Sequence, residues 1–195
     1  MTLFPIFLKL TKRRCLVVGA GRIAEEKIRG LLSTGAEIHV VAPDAAAGIR
    51  RLAREKKLRW DARRFTTADL KGAFLVVAAT SSPALHEKIY SEARRRHVLC
   101  NVVDDPAHCD FYYGSVVRRG ALQIAISTEG RSPALAQRIR KLLEKQFGPE
   151  YEDWIKALGE ARDKLFSRKM NPDERKKLLH ILASEEMFEE FLRGV

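Results

Sequence analysis

A chain of 195 residues allows one substantial domain and a smaller appendage. Hydrophobic residues at 46% and charged residues at 31% exclude a disordered chain and fit a globular protein with a core. The 36 Lys and Arg against 25 Asp and Glu give a formal charge of +11, which is either a solvated basic surface or a field that favours an anionic partner.

The elements read in chain order as alternating strands and helices. Cys15 to Val18 is a strand, followed by a glycine turn and a helix from Ile23 to Thr34 that Gly35 closes. Glu37 to Ala42 is the next strand, and Pro43-Asp44 opens a helix running to Lys56. A weak strand at Leu58 to Trp60 and a turn at Thr66 to Leu70 lead into Phe74 to Ala79, whose unbroken apolar character suits a central parallel strand. A helix from Pro83 to Arg96 precedes a strand from Val98 to Val103. Strands separated by helices of this length predict βαβ units in a right-handed, doubly wound α/β sheet.

The pattern changes after Pro106. Ser115 to Arg118 and Leu122 to Ile126 are two strands joined by Arg119-Gly120-Ala121 as a candidate hairpin. Pro133 starts an Arg-rich helix that stops at Gly148-Pro149. The remainder is helical in pattern, with one break at Met170-Asn171-Pro172 and no motif of chemical meaning. The expected organisation is 1–113 as a dinucleotide-binding domain, 114–149 as a segment of two strands and a helix, and 150–195 as a helical region.

Basic residues are interleaved with acidic ones, as in Glu25-Glu26-Lys27, so no nucleic-acid arm is expected. Cys15, Cys100 and Cys109 are widely spaced, with no CxxC pair, and Cys15 and Cys100 lie in apolar runs as core thiols. No leader pattern opens the chain and no run approaches the ~20 apolar residues that cross a bilayer. A cytoplasmic protein without membrane attachment is expected.

Gly19-Ala20-Gly21-Arg22-Ile23-Ala24 is a GxGxxA turn directly after a strand and before a helix. Gly19 permits the tight turn, Gly21 lets backbone approach a pyrophosphate, and Ala24 allows close helix–strand packing. The helix N-terminus offers amides and a partial positive charge to the phosphates. The acidic residue that grips the adenosine ribose belongs at the end of the second strand. There Asp44 follows Pro43, and it either reaches the ribose or caps the next helix. Arg22 is placed to meet a 2′-phosphate, so this chemistry leaves NAD and NADP both open. The hydroxyls of Thr80, Ser81 and Ser82 follow the central strand, where they either line the nicotinamide side of a cleft or cap the helix at Pro83.

Asn101-Val102-Val103-Asp104-Asp105-Pro106 ends a further strand at the same sheet edge, and its paired carboxylates are candidates for proton transfer or parts of an ordinary turn. Ser127 to Pro133 is a second candidate anion-binding corner, with Arg131, Arg138 and Arg140 nearby, or simply a capped helix. The five histidines are scattered, with no metal-ligand spacing; His108, close to the aspartates, reads as an ordinary loop residue.

Six segments together carry a more specific signal. Leu3 to Leu8, Val17 to Lys27, Val40 to Asp44, Val76 to Thr80, Asn101 to Pro106 and Ile124 to Ala136 resemble, in order and spacing, the precorrin-2 dehydrogenase family, which includes the N-terminal module of sirohaem synthase. The resemblance implies a Rossmann-type domain binding NAD, and oxidation of precorrin-2 to sirohydrochlorin for sirohaem. It implies a homodimer joined through the segment after Tyr113. Some members also insert iron, which the resemblance leaves open. Asp104 falls at the family's acid/base position, with Asp105 beside it, and Thr128 falls near its tetrapyrrole pocket. The cofactor set expected is Gly19, Gly21, Arg22, Ile23, Pro43, Asp44, Thr80, Ser81 and Asn101. The substrate set is Asp105, Thr128, Gly130, Arg131 and Ser132, with no metal ligands. The chain's length leaves no room for a fused methyltransferase, so a separate uroporphyrinogen-III methyltransferase is expected upstream. A basic rim suits a polycarboxylate tetrapyrrole.

Two other classes compete. A nucleotide-sensing regulator would bind DNA as well as NAD, yet no helix-turn-helix precedes the first strand. An unrelated small-molecule dehydrogenase would differ in what it oxidises.

Overall fold

The apolar runs of the first half become five parallel strands: β1 (Arg14–Val18), β2 (Glu37–Val41), β3 (Arg59–Asp61), β4 (Leu75–Ala78) and β5 (Leu99–Val102). The structure is a computed structural model and describes residues 2–194. It divides into two units, Leu3–Tyr112 and the chain from Tyr113 onward.

In the first unit the strand order is β3-β2-β1-β4-β5, with every neighbouring pair parallel. Helices α1 (Arg22–Leu32), α2 (Ala47–Arg54) and α3 (Pro83–Arg95) follow β1, β2 and β4. The chain walks outward from β1 to β3, returns to pair β4 with β1, and then moves outward the other way. That reversal opens a crevice between β1 and β4 at the carboxyl ends of the strands, where such sheets bind ligands.

β1, β2, β4 and β5 are buried along nearly their whole length, which is why they read as apolar runs, whereas the edge strand β3 is only half-buried. Successive side chains point to opposite faces. Cys15, Val17, Val40 and Val77 pack with Ala24, Ile28 and Leu31 of α1 and Ile49 of α2. Leu16, Val18, Val76 and Ala78 pack with Ile89 and Ala93 of α3 and with Leu70. Full burial of each large side chain here, such as Leu16, Ile28, Ile49 or Ile89, stabilises the fold by ~1.5–3 kcal/mol. Cys15 and Cys100 are buried free thiols, as expected, and burial pushes them up to about 11 and about 12.

A polar knot ties the end of β3 to the short 3-10 turn Thr67–Leu70. Asp69 is buried and takes hydrogen bonds from Arg63 at 2.6 and 2.9 Å and from the Thr66 amide at 2.8 Å. Arg63 also donates to Asp61 at 3.0 Å.

One helix starts later than the sequence suggests. Pro43-Asp44 does not open α2, which begins at Ala47 after an extended Ala46 with ψ of 152°. The Ala46 amide donates to the Ala20 carbonyl at 2.9 Å, so the chain is first stitched across the glycine turn. Asp44 is therefore not the cap of α2.

In the second unit, β6 (Ser115–Arg119) and β7 (Leu122–Ile126) form an antiparallel hairpin closed at Gly120, whose φ is +53°. Helices α4 (Pro133–Gln146), α5 (Glu150–Ser167), α6 (Pro172–Leu182) and α7 (Glu185–Arg193) complete it. Arg119 donates to the carbonyls of Phe147 at 2.8 Å and Glu144 at 3.0 Å, so a cation satisfies the C-terminal end of α4. Trp154 of α5 is buried, with ring centroids 5.6 Å from Phe188 and 5.1 Å from Phe191 of α7. The break at 170–172 is present, and Asn171 caps α6. A second break at Ala183-Ser184, hidden in the sequence pattern, is made by Ser184 capping α7 through the Met187 amide.

Candidate functional site

The strand register brings the candidate residues to one edge of the sheet. Val18 pairs with Val41 and with Ala78, and Ala78 pairs with Val102, so the loops that follow these strands emerge side by side. They enclose a cleft of about 1290 Å³ within the first unit.

The glycine turn forms its floor, and the two glycines have different causes. Gly19 has a φ of +99°, and a Cβ there would stand 2.2 Å from the Ala79 carbonyl oxygen. Packing of β1 against the loop after β4 therefore demands glycine. Gly21 is extended, with φ of −82°, and a Cβ added to it meets nothing within 4 Å. Neither its backbone nor its protein neighbours require glycine, whereas a phosphate lying on the backbone would. Gly21 is also the N-cap of α1 and supplies no side-chain acceptor, which leaves the first-turn amides to a ligand. Ala24 is fully buried, as close packing of α1 on the sheet requires. This turn fits a dinucleotide pyrophosphate.

Arg22 and Ile23 line the cleft at the start of α1, and Pro43 and Asp44 line it after β2. The Asp44 side chain is 82% exposed and ion-paired with Arg50, and its Oδ1 accepts from the Ala45 amide at 2.8 Å. The Trp60 indole donates to the Ala42 carbonyl at 3.0 Å, fixing the end of β2 beneath it. Thr80 and Ser81 line the opposite wall. His86 Nε2 lies 2.8 Å from the Thr80 carbonyl oxygen, which pins this loop to α3. Ser82 is the N-cap of α3 but makes no side-chain cap, so that hydroxyl is not used in capping.

Asn101 does not reach this wall. It is buried within β5, and its Nδ2 donates to the Phe111 carbonyl at 2.8 Å and contacts Cys109 Sγ at 3.4 Å. Together with the Asp110 amide donating to the Cys100 carbonyl at 2.8 Å, it folds residues 109–111 back along the strand. Asn101 shapes the aspartate loop from behind and is absent from the cleft lining.

Asp104 and Asp105 line the cleft beyond β5. Asp104 is exposed and left-handed, with φ of +61°. Asp105 Oδ2 lies 2.7 Å from His108 Nδ1, and His108 Nε2 lies 2.8 Å from Glu87 Oε2 on α3. His108, read from sequence as an ordinary loop residue, is the centre of a carboxylate–imidazole–carboxylate bridge. The Asp105 and Glu87 carboxylates raise its pKa above the ordinary 6.5.

The Thr128, Gly130, Arg131 and Ser132 group belongs to the second unit and makes its own turn. Thr128 Oγ1 accepts from the Ser132 amide at 3.1 Å, Gly130 has φ of +78°, and Ser132 Oγ caps α4 through the Leu135 amide at 3.2 Å. The capping role weighed for this corner is present.

Sequence reading missed Arg64 and Phe65, which line the cleft after β3. The signal was available, because β3 is parallel to β2 and so ends at the same edge. His86 and Glu87 gave none: each is one polar residue on a helix.

A glycine turn and helix N-terminus at the switch point of a doubly wound sheet define a dinucleotide-binding α/β protein. The chain belongs to the family described as "Putative NAD(P)-binding", whose model matches residues 6–115. Residues 119–146 match a second model, "Sirohaem biosynthesis protein central". The sirohaem synthase of Neisseria meningitidis serogroup C / serotype 2a is 38% identical over 177 residues, covering 91% of this chain and 37% of the relative. Sirohaem synthase 1 of Serratia proteamaculans is 40% identical over 144 residues, covering 74% of this chain and 30% of the relative. The chain thus spans about a third of the length of these curated relatives. A solved structure of SirC, a precorrin-2 dehydrogenase, superposes with a TM-score of 0.82 at 28% identity and covers 98% of both chains.

Proposed function

We propose that this chain is an NAD-dependent precorrin-2 dehydrogenase that yields sirohydrochlorin for sirohaem. The observation that carries the reading is one cleft holding both Gly21, a glycine only a ligand explains, and Asp104, a free-standing carboxylate on a left-handed loop. The likeness to the SirC dehydrogenase over the full chain supports the substrate.

The Gly19–Ile23 turn and the α1 N-terminus hold the pyrophosphate, Pro43 and Asp44 meet the adenosine ribose, and Thr80 and Ser81 flank the nicotinamide. Bound NAD supplies the acceptor for the hydride that the macrocycle loses. The same oxidation releases one proton, and Asp104 takes it as general base. Asp105 is engaged with His108 and so leaves that task to its neighbour. The charge of +11 favours a polycarboxylate substrate.

The enzyme acts as a cytoplasmic homodimer through the 114–149 segment. Two features favour this: a two-stranded sheet is marginal alone, and α4 exposes Leu135 and Leu142 two turns apart on one face.

The test is anaerobic incubation with enzymatically made precorrin-2 and NAD⁺, followed by absorbance. NADH and sirohydrochlorin growing in equal amounts support the reading, and Fe²⁺ added afterwards tests for iron insertion. Bound NAD⁺ without NADH formation overturns it in favour of a sensor.

A further inference from the structure

We propose that His108 is a positioning residue of this reaction: as an imidazolium it clamps the Asp104–Asp105 loop to helix α3. The proposal rests on the dehydrogenase reading above.

The loop needs such a clamp. Asp104 holds a left-handed φ of +61°, a region that most residues with side chains avoid and that Asp enters only occasionally. Its neighbours lie outside regular structure, with Asp105 at φ of −134° and ψ of 82°. Backbone bonds tie the loop to β4 and to itself, but not to α3: the Val103 amide donates to the Ala78 carbonyl at 2.9 Å, the Asp105 amide to the Val102 carbonyl at 3.3 Å, and the His108 amide to the Asp105 carbonyl at 3.1 Å. The side chain of His108 supplies the link to α3.

Geometry also sets the charge state. One ring nitrogen is 2.7 Å from a carboxylate oxygen of Asp105, and the other is 2.8 Å from a carboxylate oxygen of Glu87. Ionised carboxylates only accept hydrogen bonds, and neutral imidazole carries one N–H, so both contacts are satisfied only by the doubly protonated ring. The ring packs edge-on against Tyr90, with centroids 4.9 Å apart. The groups facing it are Asp105 from its own loop and Glu87 and Tyr90 from α3. Glu87 is further held by Ser91 Oγ at 2.8 Å, and Arg94 lies 5.8 Å from the Tyr90 ring centroid. Cys109 and Asp110 follow in the chain, and Cys109 Sγ contacts the Asp105 carbonyl at 3.2 Å.

The clamp has two consequences. It commits the Asp105 carboxylate to a cation, so that Asp104 alone is available to the substrate's proton. It also ties turnover to the imidazolium: loss of one ring proton breaks one of the two contacts, and either loss uncouples Asp105 from α3.

The test compares wild type with His108→Ala and Glu87→Gln in kcat and KM for precorrin-2, from about pH 6 to about pH 9. Wild-type kcat is expected to fall as pH rises through the His108 titration. His108→Ala loses roughly ten- to a hundredfold in kcat and loses that limb, with NAD⁺ affinity unchanged. Glu87→Gln moves the limb to lower pH. A His108→Ala enzyme with wild-type kcat and an unaltered limb overturns the proposal. ¹⁵N titration of His108 separates this from failure of the dehydrogenase reading. An imidazole that titrates at or below its ordinary 6.5 overturns the clamp whatever the substrate. One that titrates above it upholds the clamp even if precorrin-2 is not oxidised.

Discussion

Gly19 and Ala79 approach so closely that an ideal Cβ on the glycine would lie 2.2 Å from the Ala79 carbonyl oxygen and 2.8 Å from its carbon. This contact welds β1 to the loop after β4 and so builds the floor and one wall of the cleft together. Gly19→Ala therefore costs stability before it costs binding. The left-handed φ alone contributes ~1–2 kcal/mol, and the clash adds to it. Urea unfolding checks this, and an unchanged midpoint would rule the contact out as a cause.

Gly21 gives the opposite outcome. Gly21→Val meets open space, so thermal stability is expected to stay within about 0.5 kcal/mol of wild type. NAD⁺ binding should weaken tenfold or more, which is about 1.4 kcal/mol. Scanning calorimetry reads the first quantity and calorimetric titration the second. Undiminished NAD⁺ affinity would place the pyrophosphate elsewhere.

Much of this was legible in the residues. Runs such as Leu75–Ala78 announce strands buried on both faces, and the GxGxxA turn announces their switch point. What stayed hidden depends on pairings distant in sequence. Ala46 is held by Ala20, which delays α2, and Asn101 donates to Phe111 behind the cleft. His108 gains its meaning from Glu87, 21 residues away on another element. Periodicity cannot report such contacts, because a single polar residue on a helix or loop carries no pattern.

The knot around Asp69 predicts acid sensitivity. Its hydrogen bond from the Arg63 guanidinium holds the carboxyl below its ordinary 3.8, and Asp61 nearby is lowered to about 2, first by Arg59. For carboxylates lowered in the folded state, the stabilisation is present above the unfolded pKa and fades as pH falls through the folded one. Asp69→Asn should cost about 1–2 kcal/mol near neutrality, with Arg63 partly solvated. The gap should narrow below about pH 4. Unfolding midpoints that differ by the same amount at every pH would contradict this.

The second unit rests on aromatic packing between α5 and α7. Trp154→Ala removes a buried ring that sits 5.1 Å from Phe191 and 5.6 Å from Phe188. The expected loss is ~3–5 kcal/mol, read by thermal unfolding followed in the near ultraviolet. A loss under about 1 kcal/mol would mean that the cluster is not the core of this unit.

The most direct test of the account is single-turnover oxidation of precorrin-2 by wild type and by Asp104→Asn, each loaded with NAD⁺ to the same measured occupancy. The predicted result is equal NAD⁺ affinity, with NADH and sirohydrochlorin appearing ~10²–10⁴-fold more slowly in the variant. An Asp104→Asn enzyme that turns over at the wild-type rate would contradict the assignment of the proton to this carboxylate.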